Sequence, residues 1–171
     1  MAKLNYSILK KKAEETGLNS ELAKFGFNLG GNGENLWYYR SRKEYIDTLT
    51  FWLQNSRAGI EVVVDVYKAR HTGYSGNGTF NDDFVNDRNI YSDLWINDDE
   101  LTPMGAVWYV GTEKDLLESL EGLLEGIKDH ALPWFESIQT DEDIWKAVSV
   151  RIKEEKAGIE LKRKLFDIDA H

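Results

Sequence analysis

Cysteine is absent from this chain of 171 residues, and so are long apolar runs. Without cysteine the chain has no disulfide framework, no thiolate nucleophile and no cysteine-based metal site. No segment approaches the roughly 18 apolar residues of a membrane span. Residues 1–15 also lack the apolar stretch of a signal peptide. We therefore expect a cytoplasmic protein that does not bind a membrane.

Positive charge is in short supply. The chain carries 21 lysines and arginines against 30 aspartates and glutamates, which gives a net charge of −9. A nucleic acid or an anionic bilayer would be repelled by such a chain, so neither is expected as a partner. An acidic surface favours solubility first and a basic protein partner second.

Recognisable catalytic and cofactor motifs are missing as well. The glycine groups at 30–33 and 73–78 fit neither a P-loop nor a dinucleotide-binding turn, and the acidic loop 81–99 lacks the spacing of a calcium-binding EF-hand. The three histidines are far apart, and no serine lies in a G-x-S-x-G turn. We expect no cofactor, no metal and no catalytic residue, and we favour a binding protein over an enzyme.

The hydrophobic pattern predicts a single α+β domain over residues 1–171. Its antiparallel sheet has about five strands, predicted at Leu36–Arg42, Tyr45–Asn55, Ile60–Lys68, Ile90–Asn97 and Val107–Val110. Helices are expected on one face of this sheet. A stripe of leucines between 116 and 127 predicts the clearest of them, which Pro133 should interrupt. Thr140, followed three residues later by Asp143, predicts the start of another helix.

The third predicted strand has the cleanest alternation. Its isoleucine and valines at 60, 62, 64 and 66 should face the helices, so Glu61, Asp65 and Tyr67 should face away. The same argument places three later side chains on that outer face, and the acidic loop adds two aspartates. The predicted partner-binding residues are Glu61, Asp65, Tyr67, Asp82, Asp83, Tyr91, Asp93 and Trp95. Aromatic groups would anchor a partner and carboxylates would steer it. An ordinary solvated sheet face is the alternative.

Two short motifs carry a resemblance to known proteins. Gly26-Phe27 follows the N-terminal helical stretch, and Leu132-Pro133-Trp134-Phe135 follows the late amphipathic helix. With the aromatic strands between them, they resemble a family of uncharacterised bacterial α+β domains, which implies no catalytic residues. The small, acidic, cysteine-free profile is similar in class to bacterial immunity proteins, which implies neutralisation of a basic toxin.

We therefore expect a protein-binding module, of which an immunity-type inhibitor of a basic bacterial toxin is the most specific form. The alternative is an enzyme or small-ligand-binding protein with a carboxylate and tyrosine cleft beside the loop Arg70–Asn89, which contains His71. A scaffold module is a third hypothesis, and it would need a large exposed apolar patch.

Overall fold

One open antiparallel sheet organises the protein. The computed structural model describes residues 4–30, 35–54, 59–80, 108–109, 113–148 and 153–168. In this part of the chain the sheet has five strands in sequential order. They are β1 (Asn28–Leu29), β2 (Leu36–Arg42), β3 (Tyr45–Gln54), β4 (Gly59–Lys68) and β5 (Trp108–Tyr109). The predicted α+β fold with a five-stranded antiparallel sheet is confirmed.

The individual strands agree only in part with the prediction. β2, β3 and β4 match their predicted ranges to within one residue, and β5 is the central part of the predicted Val107–Val110. The remaining predicted strand, Ile90–Asn97, lies outside the described residues. The described sheet also contains β1, which pairs with Tyr38 and Tyr39 of β2 and was not predicted as a strand. The sequence around β1 is rich in asparagine and glycine, which is typical of loops.

Gly30, which follows β1, comes unusually close to the neighbouring strand. Its backbone N–H donates to the carbonyl oxygen of Trp37 at 2.8 Å. A Cβ atom at position 30 would lie 2.1 Å from the Trp37 indole ring. Only glycine lets the backbone come this close to the ring, so β1 can extend the sheet at its edge.

The hairpin between β2 and β3 fixes the register of the sheet. Arg42 pairs with Tyr45 across a two-residue turn, and Lys43 in that turn has the left-handed φ of 49° that such tight hairpins need. β3 and β4 then pair over their whole length, from Tyr45 opposite Lys68 to Gln54 opposite Gly59. This register places the isoleucine and valines of β4 on the helix-facing side, as the alternation predicted.

The described residues also contain α-helices and one π-helical turn. They are α1 (Tyr6–Glu15), α2 (Leu18–Lys24), α3 (Ala69–Thr72), α4 (Glu113–Gly126), the π turn (Ile127–Ala131), α5 (Leu132–Ser137), α6 (Asp141–Ala147) and α7 (Lys156–Phe166). The N–H of Leu132 donates to the carbonyl oxygen of Ile127, five residues back. This wider turn lets the chain pass Pro133, whose ring would clash in a regular helix. The predicted start at Thr140 is confirmed by a full capping box with Asp143.

The main hydrophobic core lies between the sheet and these helices. Side chains from α1, α2, α4, α5, α6 and α7 are buried against the helix-facing side of β2, β3 and β4. Leu116, Leu120 and Leu123 of the predicted stripe are 2% exposed or less. In the predicted corner at 132–135 it is Phe135 that is fully buried, while Trp134 is partly exposed.

A buried ion cluster crosses the edge of this core. The Asp47 carboxylate is fully buried and accepts hydrogen bonds from Arg42 at 2.6 and 2.7 Å and from Arg40 Nε at 2.9 Å. Arg42 also donates to the carbonyl oxygen of Ile138 at 2.8 Å, and Arg40 lies 3.1 Å from Glu136. Burial raises the pKa of Asp47, and the two arginines oppose that rise. The cluster therefore connects β2 and β3 to the end of α5.

Replacing Asp47 with alanine should lower the free energy of unfolding by about 3–5 kcal/mol, because two nearly buried guanidinium groups would lose their counter-charge. Urea denaturation measures the change. Glu136→Gln is the matched control: it removes the exposed partner of Arg40 and should cost less than about 1 kcal/mol. Equal losses in the two variants would contradict the assignment of Asp47 as the centre of the cluster.

Candidate binding surfaces

The second face of the sheet is covered rather than solvated in the described part of the chain. Trp37 and Tyr39 of β2, Ile46 of β3 and Tyr67 of β4 form a second buried cluster on this face. The segment that follows α3 lies over it. The Phe80 ring is 4.9 Å from the Tyr39 ring and 5.6 Å from the Trp37 ring, both with edge-to-face geometry. Aromatic packing occupies the space where an open recognition surface was expected.

The predicted partner-binding residues fall into three groups. Asp65 and Tyr67 do face away from the helices, but they are only 6% and 3% exposed. Neither offers its side chain to a partner in this structure, because alternation predicts which face a residue takes and not what covers that face. The backbone of Glu61 pairs with that of Trp52 in the sheet, and the structure does not describe the Glu61 side chain. The remaining five residues, Asp82, Asp83, Tyr91, Asp93 and Trp95, lie outside the described residues.

In the described half of the loop Arg70–Asn89, beside which the alternative cleft is predicted, Arg70 and His71 take part in contacts with the end of α7. The Arg70 guanidinium donates to both oxygens of Asp167 at 2.8 Å and to the carbonyl oxygen of Lys164 at 3.1 Å. His71 Nε2 accepts from Arg70 Nε at 3.2 Å. These charges hold the end of α7 against α3. Within the described ranges, no group of three or more histidine, aspartate or glutamate side chains is placed to hold a metal ion.

His71 should make stability depend on pH. Burial lowers its pKa, and the nearby charges of Arg70 and Lys68 lower it further. Below the ordinary histidine pKa of about 6.5 the unfolded chain takes up a proton that the folded chain resists. The contribution of neutral His71 to the free energy of unfolding is thus complete above about pH 6.5. It is lost as the pH falls towards the lowered pKa of His71 in the folded chain.

Denaturation at a series of pH values from about 7.5 to 5.5 measures this effect, because it covers the ordinary pKa of histidine. The loss of stability over that range should be smaller in His71→Gln than in the wild type. Ser137→Ala, which changes an exposed side chain that does not titrate, is the control and should leave the loss unchanged. A wild-type profile retained in His71→Gln would contradict the prediction.

An exposed row of carboxylates runs along the outer side of α4 and the π turn. It consists of Glu118, Glu121, Glu125 and Asp129, which are all exposed and lie at spacings of three, four and four residues. The opposite side of the same helix carries the buried leucines. We call these four residues the acidic row. The sequence contained this signal in the spacing of its glutamates, but the sequence-based prediction placed the acidic surface on the sheet instead.

Most of the acidic row lacks a neutralising partner among the described residues. Glu121, Glu125 and Asp129 form no ion pair there. Lys128 is next to Asp129 in sequence, but its Nζ lies 3.4 Å from Glu21 on α2 and 6.0 Å from the centre of the Phe25 ring. Like charges three or four residues apart destabilise a helix. The row therefore has an energetic cost that the fold itself does not require.

Neutralising one carboxylate of the acidic row should relieve part of this like-charge repulsion and stabilise the fold. Glu121 has a like charge three residues before it and another four residues after it. Glu121→Gln should raise the free energy of unfolding by about 0.4–1 kcal/mol, since each like-charge pair costs about 0.2–0.5 kcal/mol. Urea denaturation at low and high salt measures the gain, which should shrink at high salt. Glu15→Gln on α1, which removes a carboxylate paired with Lys12 at 2.7 Å, is the control and should give no gain.

Comparison with protein-family models, with curated proteins and with solved structures found no match to this chain. Among the described helices, none combines the length and the apolar character that crossing a lipid bilayer requires.

Proposed function

We propose that this chain is a protein-binding module that holds a basic partner against its acidic row, and that the partner is a bacterial toxin which the chain neutralises in the manner of an immunity protein. One observation carries the proposal. The carboxylates at 121, 125 and 129 repel one another on the exposed side of one helix and form no ion pair in the described part of the chain. A basic partner would remove that repulsion on binding.

The shape and rigidity of the acidic row suit this role. α4 packs its leucines on the sheet, so the carboxylates are presented from a fixed backbone and little order has to be gained on binding. The net charge of −9 adds a long-range attraction for a cationic protein and raises the rate of encounter. Asp82, Asp83 and Asp93, predicted from the sequence, remain candidates to extend this surface.

The experiment is charge reversal with a matched control. The partner is first isolated on the immobilised wild-type chain from the cells that make it and identified by mass spectrometry. Its association rate is then measured at low salt with Glu121→Lys/Glu125→Lys. We expect a fall of at least about tenfold, because steering depends on the charges nearest the docking site. Added salt should slow the wild-type association more than that of the variant.

The control carries Glu14→Lys and Glu160→Lys, which change the net charge by the same amount at exposed positions on α1 and α7. Its association rate should stay within about twofold of the wild type, because charges outside the docking site contribute less to steering than charges within it. Equal slowing in both variants would mean that net charge alone guides association and would remove the acidic row as the docking surface. A captured partner without excess positive charge would contradict the proposal altogether.

A further inference from the structure

A groove with the opposite charge lies between α6 and α7. Its volume is about 390 Å³, and it is lined by Trp145, Lys153, Ile159, Lys162, Arg163 and Ile168. Three of these side chains are apolar and three are cationic, and the described residues contribute no carboxylate to the lining. The chain as a whole has a net charge of −9, so the positive charge of this groove is opposite in sign to the charge of the whole protein. We call it the Trp145 groove.

The apolar side chains of the groove are unusually accessible. Ile159 is 54% exposed and Ile168 is 55% exposed; with Leu29 they are the exposed large hydrophobic residues in the described part of the chain. Trp145 lines the same groove and is partly buried against the main core. A tryptophan with aliphatic neighbours in a concave site is the usual anchor of a protein contact.

The cations of the groove are arranged around that anchor. Lys153 Nζ lies 5.4 Å and Lys162 Nζ lies 5.7 Å from the Trp145 ring. Both distances are within the range of a cation–π interaction. Lys153 also donates to the carbonyl oxygen of Lys146 at 3.3 Å, which keeps its ammonium group beside the groove. An occupant would thus meet an apolar floor with positive charge at its edges.

We propose that the Trp145 groove binds a short acidic amphipathic segment of a partner protein. Its apolar side chains would cover Ile159, Ile168 and Trp145, and its carboxylates would pair with the lysines. The site is concave, whereas a bilayer is met by protruding apolar side chains. The net charge of the whole chain also opposes an anionic bilayer or a nucleic acid, while a short peptide responds mainly to the charges within its own reach. This site is separate from the acidic row, so either proposal can fail alone.

The test uses the full chain and a synthetic fluorescein-labelled peptide in which leucine recurs at helical spacing between glutamates. Fluorescence anisotropy should show saturable binding. A peptide with lysine in place of every glutamate, and one with serine in place of every leucine, should each bind at least about tenfold more weakly, since about 1.4 kcal/mol lost corresponds to that factor. The indole N–H signal of Trp145, assigned by its loss in Trp145→Phe, should shift during titration.

Two pairs of variants locate the contact. Ile159→Ser/Ile168→Ser should weaken binding of the acidic peptide at least about tenfold, because it removes apolar area from the contact. Leu29→Ser is the control: it changes a similarly exposed side chain on β1 and should leave the affinity unchanged. Lys162→Glu should weaken binding of the acidic peptide. Lys164→Glu on the same helix is the control and should not, because Lys164 does not line the groove and instead lies near His71, whose pKa its charge lowers. Circular dichroism checks that every variant is folded.

Several outcomes would overturn the proposal. Unchanged affinity in both groove variants, or equal binding of the lysine peptide, would show that the groove does not select acidic segments. Binding to phosphatidylglycerol vesicles without binding to the acidic peptide would assign the groove to a membrane surface. Self-association of the wild type that Ile159→Ser/Ile168→Ser abolishes, again without peptide binding, would assign it to a second copy of the chain.

Discussion

The pairing of the buried Asp47 carboxylate with two arginines is the interaction on which the described fold depends most. It lies on the helix-facing side of the sheet, where an unpaired charge would cost several kcal/mol. Arg40 reaches from it to the carbonyl oxygen of Phe25 and over the ring of Phe135, and Arg42 reaches to Ile138. One carboxylate thereby holds the β2–β3 hairpin, the corner after α2 and the end of α5 in a single arrangement.

A second charged cluster lies at the same end of the sheet, where Tyr45 pairs with Arg42 on one side and with Lys68 on the other. Asp141 accepts from the Tyr45 hydroxyl at 2.7 Å and from Lys68 Nζ at 2.6 Å, and Lys68 also donates to the carbonyl oxygen of Leu165. This cluster attaches the start of α6 and the end of α7 to the ends of β3 and β4. The Asp47 cluster thus holds the end of the α4–π–α5 unit that carries the acidic row, and the Asp141 cluster sets the two helices that enclose the Trp145 groove.

Local pattern predicted the parts of this structure that depend on neighbours in sequence. Strand alternation identified β2, β3 and β4, the leucine stripe identified the buried side of α4, and Thr140 with Asp143 identified the start of α6. The remainder depends on contacts between distant residues. Nothing near Tyr67 indicates that Phe80 and its neighbours cover that face, and nothing near Trp145 indicates that Ile168 will lie beside it. Such contacts follow from the assembled fold and not from periodicity.

Net charge bears on the choice of a partner mainly at long range. A value of −9 describes the field that an approaching molecule meets at a distance, and it favours a cationic protein. At physiological salt, screening over about 8 Å means that a docked segment responds mainly to the side chains around it. At that range the acidic row and the Trp145 groove differ in sign, because three carboxylates of the row form no ion pair among the described residues, whereas lysine and arginine side chains line the groove. The sign of a binding surface therefore has to be argued from its own residues, and one acidic chain can hold a basic partner and an acidic segment on different faces.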